Sequence, residues 1–198
     1  MRKKTIAGLS LVIIGLILLS IPLYYEWEKG KEEKAMQDAL NIIEQADGGE
    51  VDLSKVKNLT IPEDQLKKVL ELEIPFLDFK EKILPEATQE NLSVALAQIK
   101  QNQTPGKGNF TIAGHRGYRG DRHFRQLPEV PTGETVILHV GKKSYEYVID
   151  SSSIIDPSDI SVLQDEKGKN EITLVTCTLD GKQRIVLKGK LNQSKEAV

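Results

Sequence analysis

Cys177 is the only cysteine in this chain of 198 residues, so it cannot form an intrachain disulfide. It is therefore either an inert core residue or a thiol kept for reaction. A reacting thiol needs a proton partner, and histidine is the usual one. Three histidines compete for that part. His139 lies inside the apolar run 135–140, where a strand residue packed or facing solvent is the simplest reading. His123 sits in the charged stretch Asp121-Arg122-His123-Phe124-Arg125 and reads as a solvated side chain. His115 differs from both. It closes the run Phe110-Thr111-Ile112-Ala113 between Gly114 and Gly117, and a strand end leading into a glycine-flexible loop is suited to presenting a side chain into a cleft.

Arg184 is the third candidate. If residues 179–183 form a tight hairpin around Asp180-Gly181, the runs carrying Cys177 and Arg184 become neighbouring antiparallel strands. The two side chains then meet at the same end of the sheet. A guanidinium there stabilises a thiolate and can donate hydrogen bonds to a carbonyl oxygen that is becoming an oxyanion. His115, His123 and Cys177 do not have the spacing of a metal site. No metal and no cofactor is expected.

The elements that must hold these residues begin with an anchor. Arg2, Lys3 and Lys4 precede an uncharged stretch over residues 5–25, close to the ~20 residues a helix needs to cross a bilayer. Tyr24, Tyr25 and Trp27 at its far end suit the membrane–water interface. A cleavable leader would show a shorter apolar core and a small-x-small site, which Leu19-Ser20-Ile21-Pro22-Leu23-Tyr24 does not offer. The basic cluster predicts a cytoplasmic amino terminus and an exterior carboxyl side, at the cell membrane, in a single pass. The chain has 27 Lys and Arg against 29 Asp and Glu, three of the basic ones ahead of the span, so the exterior part presents no basic face for nucleic acid.

Residues 1–25 are thus read as cytoplasmic tip and anchor, 26–64 as a helical stalk and linker, and 65–198 as the catalytic domain. In the stalk, Met36, Leu40 and Ile43 recur at helical spacing and Gly48-Gly49 should end the helix. A solvated stalk is the expectation. The domain reads as all-β. Its first apolar run, 70–77, is interrupted by Pro75, as in an edge strand or a bulge. Thr88 is an N-cap candidate for a short helix with Leu92, Leu96 and Ile99 on one face, and 101–109 is a loop. Strands are expected at 110–113, 135–140, 145–149, 172–178 and 184–191, with a hairpin at 141–144. Residues 151–170 read as a long polar loop of the kind that builds binding surfaces. Many short strands with few helices indicate a barrel or sandwich.

Several of these segments together resemble the sortase family. They are Gly-Asn-Phe-Thr-Ile-Ala-Gly-His-Arg from Gly108, Phe124-Arg125-Gln126-Leu127, Thr-Leu-Val-Thr-Cys from Thr173, and Arg184-Ile185-Val186. Leu72-Glu73-Ile74-Pro75 and Lys82-Ile83-Leu84 resemble the segment before that family's first helix, and the resemblance runs from about residue 73 to 191 in the family's order. It implies an eight-stranded sortase-type β-barrel with one or two short helices, behind a single transmembrane helix. It also implies a cysteine transpeptidase with Cys177 as nucleophile, His115 and Arg184 as its catalytic partners, and Thr176 at the substrate beside the oxyanion. The implied partners are surface proteins carrying a carboxyl-terminal Leu-Pro-x-Thr-x sorting signal and an amine of peptidoglycan or its lipid-linked precursor. The short turn after Cys177 and the compact anchored chain are most similar to class D sortases of Bacillus, with class A the near alternative. No acidic cluster resembles the calcium site of the staphylococcal class A enzyme.

Two other classes remain open on the residues alone. A cysteine peptidase that only hydrolyses would use the same pair of groups, although a papain-like one would place its cysteine early, in a Cys-Gly-x-Cys-Trp setting. A membrane-tethered binding domain needs no reactive thiol. Alkylation of Cys177 in the folded protein separates that case from the other two.

Overall fold

The computed structural model of the chain describes residues 2–45, 52–117 and 123–196. They fall into two units, residues 1–61 and 62–198. The first is dominated by helix α1, Arg2–Gln45, with Pro22 inside it. Within α1, Leu11–Ile43 is long and apolar enough to cross a membrane, and the Leu and Ile side chains from Leu11 to Leu23 are exposed. The stalk segment is a direct continuation of this helix. Met36 and Leu40 are buried together with Ala35 and Ala39, so this face is not solvated as the sequence reading expects. Gly48-Gly49, the expected helix stop, lies outside the described residues.

The second unit is a closed barrel of eight strands in the order β1-β2-β3-β4-β7-β8-β6-β5. The strands are β1 Leu70–Ile74, β2 Phe79–Leu84, β3 Leu96–Gln98, β4 Gly108–Ala113, β5 Thr135–Val140, β6 Lys143–Ile155, β7 Asn170–Cys177 and β8 Arg184–Glu196. Two short helices accompany them, α2 Glu63–Leu66 and α3 Gln89–Val94. Closure comes from β1, which pairs with both β2 and β5. Pro75 is therefore not in an edge strand. It ends β1 and opens the 3-10 turn Pro75–Leu77, where a missing N–H costs nothing.

Alternation along the strands sends Leu72, Ile83, Phe110, Ile112, Leu138 and Leu174 into the interior, all of them fully buried. Tyr147 is buried among them, and its hydroxyl accepts a hydrogen bond from the Gly106 N–H at 3.0 Å. Burial pushes that phenol up to about 12.

Three departures from the expected elements have physical causes. Thr88 does cap α3, accepting from the Asn91 N–H at 3.1 Å, but the helix stops at Val94. The sequence that follows is claimed by β3, whose three residues are all buried between β2 and β4. Tertiary pairing outweighs helical spacing there. β6 runs on to Ile155 because a bulge between Ile149 and Ser151 absorbs Asp150. Ser151, Ser152 and Ser153 are thus exposed strand residues rather than loop. The loop before β7 shortens to residues 156–169 and carries the 3-10 turn Ser161–Leu163.

This 156–169 loop is tied to the foot of β4. Asp165 accepts from the Lys100 ammonium at 2.7 Å and from the Asn109 N–H at 2.8 Å. The buried Asn109 amide donates to the Val162 carbonyl at 2.8 Å and accepts from the Thr173 hydroxyl at 2.6 Å. The Lys100 ammonium, and then the Asn109 N–H, hold the Asp165 carboxyl below the usual carboxylate range. A lowered carboxyl contributes stability above its unfolded pKa of about 4 and loses it as the pH falls through the folded value. Acidification below about pH 4 should therefore loosen the 156–169 loop before the barrel melts. Asp165→Ala should show the same loosening at neutral pH, read as faster amide exchange over 156–169. Equal exchange in variant and wild type would remove the tie from the account.

Candidate active site

The three candidate residues come from three neighbouring strands, β4, β7 and β8. β4 and β7 run parallel in register from Gly108 opposite Asn170 to Ala113 opposite Val175. Two further bonds carry this register past the end of β4. The Gly114 N–H donates to the Val175 carbonyl at 3.1 Å, and the Thr176 hydroxyl donates to the Gly114 carbonyl at 2.9 Å. His115 and Cys177 therefore each stand two residues beyond the same rung. Gly114 and Thr176 are buried, whereas Ala113, His115, Val175 and Cys177 are partly exposed. The alternation puts His115 and Cys177 on the outward side together.

Arg184 joins them from β8. The β7–β8 register pairs Cys177 directly with Arg184, and directly opposed residues share a face. The connecting turn is compact. The Thr178 N–H donates to the Gln183 carbonyl at 3.0 Å, the Gly181 N–H donates to the Thr178 carbonyl at 2.9 Å, and Asp180 accepts from the Thr178 hydroxyl. Gly181, at φ 71°, occupies the left-handed position that a side chain would strain. Arg184 Nη1 donates to the carbonyls of Gly181 at 3.2 Å and Gln183 at 3.1 Å. One nitrogen of the guanidinium is thus fixed to the turn, while Nε and Nη2 carry the remaining donors of the fork. Cys177 is a free thiol, partly exposed, which suits a reactive cysteine better than an inert one.

Thr176 is 2% exposed and its hydroxyl is engaged with Gly114. Gly114 has a role the sequence reading assigned to flexibility. Its φ is not positive, and a Cβ there would come within 2.5 Å of Leu96 Cδ2 and 2.8 Å of Phe124 Cδ2. It is glycine because β4 must pass close to those side chains, not because the loop must bend freely. His139 lies on β5 with Nε2 2.7 Å from Glu73 Oε2, an outer-face pair away from the Cys177 strand. His123 is not solvated. Its side chain is only 11% exposed and its Nδ1 meets Glu81 Oε1. No group of three or more His, Cys, Asp or Glu able to hold a metal occurs among the described residues.

Arranged this way, a thiol, an imidazole and a guanidinium on one face can carry out nucleophilic acyl transfer with acid–base assistance. The chain matches the sortase domain family over residues 72–192. It belongs to the sortase family. Sortase A of Staphylococcus aureus is 33% identical over 89% of this chain and 86% of its own length. Sortase A of Bacillus anthracis is 29% identical over 96% and 95%. The structure of Listeria monocytogenes sortase A superposes with a TM-score of 0.63 at 25% identity, covering 67% of this chain and 92% of that one. A Clostridium perfringens sortase D5 transpeptidase superposes with the same TM-score of 0.63 over 83% and 99%. The chain is thus a sortase, a cysteine transpeptidase by family. Class A and class D names both occur among the relatives, so these matches do not set class D apart.

Gly114→Ala tests the close packing behind His115. We expect a loss of stability of about 1–3 kcal/mol, the usual cost of overpacking, measured by thermal melting. Turnover should fall by more than that loss of folded protein accounts for, since the added methyl pushes on the strand end that carries His115. A variant with normal stability and normal turnover would contradict this packing argument.

Proposed function

We propose that this sortase cleaves a Leu-Pro-x-Thr-x sorting signal after its threonine and transfers the protein to an amine of peptidoglycan or its lipid-linked precursor. The observation that carries the proposal is the shared rung and face of His115 and Cys177, with Arg184 paired across from the thiol. The Cys177 thiolate attacks the threonine carbonyl. Arg184 donors and backbone N–H groups stabilise the tetrahedral oxyanion. His115, as imidazolium, protonates the departing amine, and the acyl group remains on sulfur as a thioester. The acceptor amine then attacks the thioester while neutral His115 removes its proton, and Cys177 is released. Thr176, expected from the resemblance at the substrate beside the oxyanion, is buried with its hydroxyl donated to the Gly114 carbonyl, and its proposed part is to steady the strand end that carries His115.

The apolar helix and the cluster Arg2-Lys3-Lys4 support a single-pass anchor with the amino terminus in the cytoplasm and the barrel outside. Protease added to protoplasts should then degrade the barrel and spare the amino-terminal end. Full protection of the barrel would reverse the orientation.

The chemistry is tested by offering the enzyme a library of sorting-signal peptides with a diaminopimelate-type amine. Joined peptide–amine products are expected, and free acid alone would mark a peptidase that only hydrolyses. Cys177→Ala should abolish both products. His115→Ala should cost roughly 10²–10⁴-fold in turnover, and His139→Ala little. Arg184→Lys keeps the charge but loses the planar fork. A fall in kcat on the order of 10²–10³ is expected with KM little changed. A folded Arg184→Lys enzyme with near-normal kcat and raised KM would make Arg184 a substrate-binding residue instead.

A further inference from the structure

Glu81 occupies a position where a carboxylate is out of place. Phe79 and Ile83 on either side of it in β2 are buried in the barrel, and Glu81 shares their parity. Its register partner on β1 is the fully buried Leu72. Only 18% of the Glu81 side chain is exposed, so it is not a solvated surface charge and needs a partner. That partner is His123, met twice. The His123 N–H donates to Glu81 Oε2 at 2.8 Å, and the ring Nδ1 meets Glu81 Oε1. His123 adopts φ 52°, a left-handed backbone that a residue with a side chain keeps only where its surroundings impose it, often beside an active site.

The next residue connects this pair to the candidate site. The Phe124 N–H donates to the carbonyl of His115 at 3.0 Å. The Phe124 ring is buried, stands 6.2 Å from the ring of Phe79, and closes over Gly114. Two consecutive N–H groups are thus fastened to different elements, that of His123 to β2 and that of Phe124 to His115. A shift of the 123–124 peptide would be transmitted to the His115 backbone through one hydrogen bond and through the ring packed on Gly114.

We propose that Glu81 and His123 form a clamp that sets the position of His115, which makes both of them positioning residues for the transfer reaction. This rests on the assignment of His115 as the proton-transfer group. The clamp explains why β2 places a carboxylate at a core-facing position and why a histidine, not a glycine, holds a left-handed turn. It acts on the chemical step, because misplacing an acid–base group by a fraction of an ångström raises the barrier without removing a substrate contact.

The test is a double-mutant cycle on the full-length enzyme, with kcat and KM measured for peptide-to-amine transfer and folding checked by thermal melting. Glu81→Ala should lower kcat roughly 10–100-fold with KM within about twofold. Glu81→Gln, which keeps an oxygen for the His123 N–H, should recover most of that loss. In a His115→Ala background, Glu81→Ala should cost less than about twofold, because its effect has already been removed. An equal loss from Glu81→Ala in both backgrounds, or an unchanged kcat in the folded single variant, would overturn the clamp and leave His115 untouched. Full activity in His115→Ala alone would instead defeat the assignment of His115. If Glu81→Ala does not fold, His123→Gly takes its place. It suits the left-handed backbone and removes only the ring, and it should lower kcat about 3–10-fold with the same suppression in His115→Ala. An unchanged kcat there would also overturn the proposal.

Discussion

The parallel ladder between β4 and β7 is the constraint on which the site depends. Neither strand neighbours the other in sequence, yet six rungs from Gly108–Asn170 to Ala113–Val175 lock them in register. A side-chain period of two makes such a register unforgiving, since a slip of one residue would turn either His115 or Cys177 into the core. The bonds of Gly114 and Thr176 extend the lock for one more residue beyond the last rung. The β7–β8 hairpin then fixes Arg184 against Cys177 with no freedom beyond side-chain rotation.

A closed barrel suits this arrangement for a further reason. Every strand has two neighbours, so no strand is an edge strand along its whole length. Buried polar residues serve the same end. Asn109 and Thr173 sit inside the β4–β7 pair and reach out to the 156–169 loop, which ties that loop to the barrel. Gly114 removes the one methyl that would keep Phe124 and Leu96 from closing behind His115. Rigidity of this kind matters for acyl transfer, where the reacting groups must already be aligned when the substrate arrives.

Much of this was legible in the sequence, and particular residues show why. The runs at 135–140, 172–178 and 184–191 are rich in β-branched and other apolar residues and are recovered as β5, β7 and β8, the last of them extended to Glu196. The pairing of Cys177 with Arg184 followed from the length of one hairpin. β2 and β3 were not legible as strands. Charged Lys80, Glu81 and Lys82 mask the first, and the second is three residues whose spacing continued a helical pattern. His123 reads as solvated because its neighbours in sequence are charged, whereas its partner Glu81 lies 42 residues away on another strand. Local composition carries no record of a contact at that distance. The serines of β6 hid strand in a polar run, because a bulge there resets which side faces solvent.

Cys177 is proposed to carry the acyl group between two amines. Intact-mass spectrometry of the enzyme, quenched in acid during turnover of a sorting-signal peptide without acceptor, tests it directly. The spectra should show an added mass equal to the peptide fragment ending in threonine less one water, located on Cys177 by proteolytic mapping, labile to hydroxylamine, and discharged when an amine acceptor is added. Product formation with the protein mass unchanged at every time point, under conditions where a thioester would survive the quench, would contradict it.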